Sequence, residues 1–194
     1  MDAMTFFAAM LTALAVENTV FSRALGLNRP VLYLNRAKTG MLYGGVFTWM
    51  VVFSSMLASA VNYILLDFAY ARYVRSLGFL VCVGAVYVIT VILIGAAAPK
   101  YYGRLRRMLP LTTFNTALFG ALYMSITQDF LTSLAYSIGI GIGYTAAILI
   151  IYYAQKRLAM SPIPRSFRGV PILLIYLGIL SLAIHGLIGH ALPT

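Results

Sequence analysis

The chain has 194 residues, 62% of them hydrophobic and 9% charged, with a net charge of +10. A soluble domain carries about a quarter of its residues as charged types, so a soluble enzyme is excluded and an all-α integral membrane protein is expected. The basic balance would suit nucleic acid, but the cations sit in short loops between apolar runs, where membrane topology places them; the partner implied is the lipid bilayer, with no nucleic acid.

Six spans are expected in chain order, at about 3–21, 40–66, 76–98, 109–126, 131–154 and 170–191. These lengths lie near the roughly 20 residues a helix needs to cross a bilayer. The first span begins beside Asp2 with no basic n-region, so no cleavable leader is expected. Near its end it carries Glu17, Asn18 and Thr19. The second holds Trp49 mid-span, where it is expected to pack between helices. The third holds Cys82, the one cysteine, which excludes an internal disulfide and an all-cysteine metal site from this chain alone. Cys82 reads as a small buried apolar residue.

The fourth span opens on "PLTTFNTALFG", Pro110 to Gly120, with three threonines, an asparagine and a proline within seven positions. Such polarity is costly at membrane depth. The fifth span contains "SIGIGIGYT", where Gly139, Gly141 and Gly143 read as a close-contact face. No strand precedes it and no lysine follows it in the register of a phosphate-binding loop. The sixth carries His185 and His190, whose spacing of five does not share a helical face. His190 reads as interfacial. His185 lies deeper, where imidazole needs a partner; a proton relay and a haem ligand stay open beside a structural role.

The loops separate by charge. Loops 22–39, 99–108 and 155–169 hold 12 of the 14 basic residues. The positive-inside rule puts these three in the cytoplasm and both termini outside. A bacterial or archaeal cytoplasmic membrane is the expected location.

An internal repeat is also visible. Asn18-Thr19 is followed by Ala24-Leu25, and 97 positions later Asn115-Thr116 is followed by Ala121-Leu122. At the same offset "GGVFT" (44–48) matches "GIGYT" (141–145). Halves of about 1–97 and 98–194 would each hold three helices within a single transmembrane domain. An odd number inverts the second half, giving a 3+3 inverted-topology repeat with its site near the midplane. Polar backbone at that depth is tolerated only against protein or a cavity. Glu17, Asn18, Thr19, Asn115 and Thr116 are therefore the candidate midplane site. Interhelical hydrogen bonding alone would also account for these residues. For Glu17 a cation site, a proton site and a salt bridge to Arg23 are all open.

"ENTVFSRALGLNRP" (17–30), "LPLTTFNTALFG" (109–120) and "IPRSFRGVPILLIYLGILSLAIHGLIG" (163–189) resemble the Rnf/Nqr family of six-helix membrane subunits, in register over nearly the whole chain. The resemblance implies a member of an ion-translocating electron transport complex, related to a homologous sister subunit by a pseudo-twofold axis. It also implies other redox-complex subunits as partners. Two cysteines from each sister would hold a [2Fe–2S] cluster mid-membrane. The matching positions here are Asn28 in "LGLNRP" and Thr116 in "FNTALFG". Iron–sulfur clusters need thiolates, with imidazole the exception, and an amide or hydroxyl is a poor substitute. The expectation is a divergent member with no metal and no cofactor of its own, at most a non-catalytic subunit of a redox-driven ion translocase. "PIPRSFRG" (162–169) would position a loop against partners or serve only as a topology signal. An inverted-repeat transporter of a small solute or ion without a redox centre is the alternative, and a purely structural or assembly role is the third.

Overall fold

The computed structural model describes residues 3–27, 36–65, 71–97, 99–125 and 129–188. All regular structure among them is helical. The elements are α1 (Ala3–Leu11), a π-helical turn (Thr12–Val16), α2 (Ala37–Leu65), α3 (Ala71–Ala97) and α4 (Pro99–Thr113). There follow α5 (Thr116–Ser125), α6 (Phe130–Ala159), a 3₁₀ turn (Arg165–Phe167) and α7 (Val170–Ile188). Among the described residues three stretches are long and apolar enough to cross a membrane, Ala37–Tyr63, Val74–Ala97 and Phe130–Ala159. Shorter apolar helices cover Met4–Val16, Thr116–Ser125 and Val170–Gly186.

The expected first span stops early. The ladder widens at Thr12–Val16 and closes with the Glu17 N–H donating to the Thr12 carbonyl at 2.9 Å. Asn18 then restarts the chain. Its Oδ1 accepts the Val20 N–H at 3.0 Å and the Phe21 N–H at 3.3 Å, the role of an N-cap. One turn follows before Ala24 adopts φ +53°, and the Leu25 N–H closes on the Thr19 carbonyl at 2.8 Å.

The second interruption has the same design. The segment 99–108, expected as a loop, forms the opening turns of α4. Its sequence explains this. Pro99 suits a first helical position, and "KYYGRLRRML" has helix-compatible residues with Leu109 directed into the core. Pro110 sits inside α4 and has no N–H to donate. Thr112 and Thr113 both direct their hydroxyls to the Leu109 carbonyl, at 2.9 and 2.7 Å. The helix ends within a turn. Asn115 then caps α5, with Oδ1 accepting the Ala117 N–H at 3.0 Å.

α2 and α6 form the centre and share the most extensive packing. α1 and the π turn lie on α6, while α4 and α5 lie on α2. α3 covers α2 and α4, and α7 covers α6. Where α2 crosses α6, a Cβ on Gly44 would overlap the Thr145 side chain, and a Cβ on Gly141 would overlap that of Thr48. Each threonine turns its hydroxyl back along its own helix, Thr48 to the Gly44 carbonyl and Thr145 to the Gly141 carbonyl, both at 2.8 Å. Phe47 and Tyr144 stack between the pairs with ring centroids 3.9 Å apart. The two contacts are thus exchanged by the 97-residue offset, and so are the two stacked rings. The glycine face of α6 also receives α1 and the π turn, with Gly139 against the Met10 carbonyl and Gly143 against that of Leu14.

Trp49 differs from expectation. It is 45% exposed, stacked on Phe53 with its indole N–H directed to Thr90 on α3 at 3.4 Å. An amphipathic indole needs one polar partner and otherwise tolerates an apolar exterior. Cys82 is buried on α3, as its apolar surroundings implied.

Candidate functional site

The two interruptions meet at Tyr144 of α6. The Asn115 Nδ2 donates to the Tyr144 hydroxyl at 2.6 Å, and that hydroxyl donates to the Gly26 carbonyl at 3.0 Å. The Gly26 N–H in turn donates to Thr116 Oγ1 at 3.0 Å. Gly26 has φ +84°, and a Cβ there would meet the Tyr144 ring and the Ala117 methyl. Only glycine satisfies both the backbone angle and that approach. The end of the first motif is thereby clasped to the start of α5.

Asn115 is buried, whereas Thr116 and Phe114 lie on the exposed surface beside it. Asn18 is buried one position along α6, with Nδ2 donating to the Leu14 carbonyl at 3.0 Å and lying against Gly143. The five expected site residues thus do not converge on one point. Asn115 and Thr116 join the clasp, and Asn18 lies beside it. Thr19 is 1% exposed, and its hydroxyl has no hydrogen-bond partner among the described residues. Asn28 lies outside the described residues, as does His190.

Glu17 faces elsewhere. It ends the π turn and opens on a cavity of about 450 Å³ lined by Thr12, Arg23, Tyr123, Thr132 and Tyr136 among others. The Tyr136 hydroxyl donates to Glu17 Oε2. The Arg23 guanidinium stands 3.8 Å from the same oxygen, with both side chains partly exposed. Of the three roles open for Glu17, the salt bridge to Arg23 is therefore present. His185 lies on an exposed face near the C-terminal end of α7 instead of in a buried pocket. In the loop 162–169, the Arg168 Nε–H donates to the Ile163 carbonyl at 2.9 Å and Gly169 takes φ +88°, so this pair folds the loop on itself.

Sequence reasoning missed Tyr144 as the hub and Tyr136 as the partner of Glu17. Tyr144 was nonetheless marked: it is the aromatic of the "GIGYT" match. For Tyr136 the signal was fainter, a tyrosine on the helix that α1 packs against.

The donor set can be tested against an iron–sulfur cluster. At Thr116 the ligand atom is a neutral hydroxyl oxygen already accepting the Gly26 N–H. Iron in these clusters takes anionic sulfur. Cys82, the one thiol, is buried on α3. Among the described residues no group of three or more His, Cys, Asp or Glu could hold a metal. Among the described residues, Thr116 and Cys82 do not supply the paired thiolates that a [2Fe–2S] cluster takes.

The chain is similar in sequence to known proteins over nearly its full length. The chain is 31% identical to the A component of the ion-translocating oxidoreductase complex of Syntrophotalea carbinolica, over 93% of this chain and 94% of that one. It is 28% identical to the A component of the Na(+)-translocating ferredoxin:NAD(+) oxidoreductase complex of Acetobacterium woodii, over 97% of this chain and all of that one. The corresponding ion-translocating oxidoreductase component from Alcanivorax borkumensis is 31% identical over 93% of this chain and 94% of its own. The family model described as "Rnf-Nqr subunit, membrane protein" matches residues 6–190, and the chain belongs to the Rnf-Nqr family.

Proposed function

We propose that the chain is a membrane subunit of an ion-translocating oxidoreductase complex, and that it works without cluster ligands of its own. The observation that carries this reading is similarity over nearly the full length to proteins named as components of such complexes. In this reading the chain crosses a bacterial or archaeal cytoplasmic membrane six times, as a 3+3 inverted repeat with both termini outside. The reciprocal Gly44–Thr145 and Gly141–Thr48 contacts support the repeat. So do the two asparagine caps at equivalent positions. Loop charge supports the orientation. The exposed surface around Phe114 and Thr116 is where a homologous sister subunit would pair across a pseudo-twofold axis.

The clasp takes over the part that metal ligation would otherwise play in joining the two motifs. Thr116 Oγ1 and the Tyr144 hydroxyl hold Gly26 from both sides with neutral hydrogen bonds. A transporter without a redox centre is the second reading, favoured by the non-sulfur residue at Thr116 and by the Glu17 cavity.

Affinity purification of the full chain from its native membrane separates these readings. The complex reading expects redox subunits to co-purify, with iron content unchanged by Thr116→Ala. Purification of the chain free of redox subunits would favour transport. A stoichiometric [2Fe–2S] EPR signal that disappears in Thr116→Ala would overturn the claim that this chain lacks cluster ligands.

A further inference from the structure

We propose that α4 carries a binding site for one anionic phospholipid, formed by Gly103, Arg107, Met108 and Leu111. These residues line a cavity of about 440 Å³ on the outer surface of α4. Positions 103, 107 and 111 are spaced by four, so they form one stripe along the helix. The stripe is about 12 Å long at 1.5 Å per residue. It grades from polar to apolar. Arg107 is exposed near its middle, and Leu111, 43% exposed, marks its lower end. A negative head at Arg107, with the first tail carbons along Met108 and Leu111, matches this stripe in charge and polarity.

Two further observations define the site. A Cβ on Gly103 would meet no atom of the chain within 4 Å, so this end of the stripe is open to a headgroup. The level of the stripe is also fixed. Tyr102 rests against Gly95 of α3, and the Arg106 guanidinium lies over the Tyr102 ring at 5.6 Å. Leu109 is buried a turn below. On the six-span reading proposed above, on which this inference rests, Arg107 stands at the cytoplasmic level where an apolar helix leaves the hydrocarbon. α4 carries Lys100, Arg104, Arg106 and Arg107 with no acidic residue. Basic segments at this level attract anionic headgroups. A free phosphate would satisfy Arg107 but would leave Met108 and Leu111 uncovered, so the lipid is the fitting occupant.

The test uses the full chain purified with its native partner subunits in a neutral detergent. It is supplied with equimolar phosphatidylglycerol and phosphatidylcholine, and retained lipid is counted by mass spectrometry. The expected result is preferential retention of phosphatidylglycerol. Arg107→Gln should lower that retention about fivefold, the size of one basic contact with an anionic surface. Gly103→Leu should lower it comparably by filling the groove, and Arg157→Gln at the end of α6 should leave it unchanged. Gly103→Leu keeps every charge and Arg107→Gln keeps the groove's shape, so either variant decides if the other misfolds. Equal retention of the two lipids, an equal loss in Arg157→Gln, or displacement of the lipid by inorganic phosphate alone would each overturn the proposal.

Discussion

Tyr144 does at one atom what two polar motifs need in common. Its hydroxyl accepts from Asn115 and donates to Gly26, in a position with almost no exposure. Replacing it with phenylalanine keeps the stack on Phe47 but strands a buried amide and a buried carbonyl. Unsatisfied buried groups cost about 1–3 kcal/mol each, so Tyr144→Phe is expected to lower the thermal midpoint of the purified protein by several degrees. An unchanged midpoint would show that the clasp contributes nothing. Glu17 behaves oppositely. Its pair with Arg23 is partly exposed and 3.8 Å long, a class of interaction worth about 0–1 kcal/mol. Glu17→Gln should therefore leave stability nearly intact. Any loss of ion-coupled activity in that variant, measured in vesicles, then reports on function and not on folding. Both asparagines could be found from sequence because each pairs with a threonine at a fixed offset in an apolar background. Their roles could not. An asparagine that caps a restarted helix and one that binds a solute carry the same side chain, and only the positions of neighbouring N–H groups distinguish them.

At the scale of elements, apolar runs marked the long helices to within a few residues, because hydropathy is what lipid selects. The misplacements share one origin, a reading by hydropathy alone. Hydropathy is blind to hydrogen-bond spacing, which hid the π turn at Thr12–Val16, and it scores the basic run 99–108 as a loop although its residues suit a helix. The crossing of α2 and α6 provides a sharper test. Gly44→Val forces a branched side chain into Thr145. Overpacking of this kind costs about 1–3 kcal/mol. Adding Thr145→Ala should recover much of the loss, whereas adding Thr48→Ala should not. The mirrored experiment, Gly141→Val rescued by Thr48→Ala, should give a similar coupling energy, measured by thermal denaturation of all four constituents of each cycle. Strongly unequal couplings would show that the two contacts are not equivalents.

For the whole molecule, the proposed orientation puts both ends outside and the turn after α6 inside. Cys82 is buried, so a cysteine-free background is available through Cys82→Ala. A new cysteine at Ser161, in the exposed turn after α6, should resist an impermeant thiol reagent added outside intact cells. One at Thr5, near the start of α1, should react. The opposite labelling would reverse the orientation. The interlacing of the helices also has a consequence for biogenesis. α1 packs chiefly on α6, which begins more than a hundred residues later in the chain. At about 10 residues per second of synthesis, α1 waits roughly ten seconds in the membrane before its partner exists. Through that interval the Glu17 carboxylate has no Tyr136 to meet it. A nascent chain halted after α5 should thus be a substrate for membrane-protein quality control, while one released after α6 should escape it.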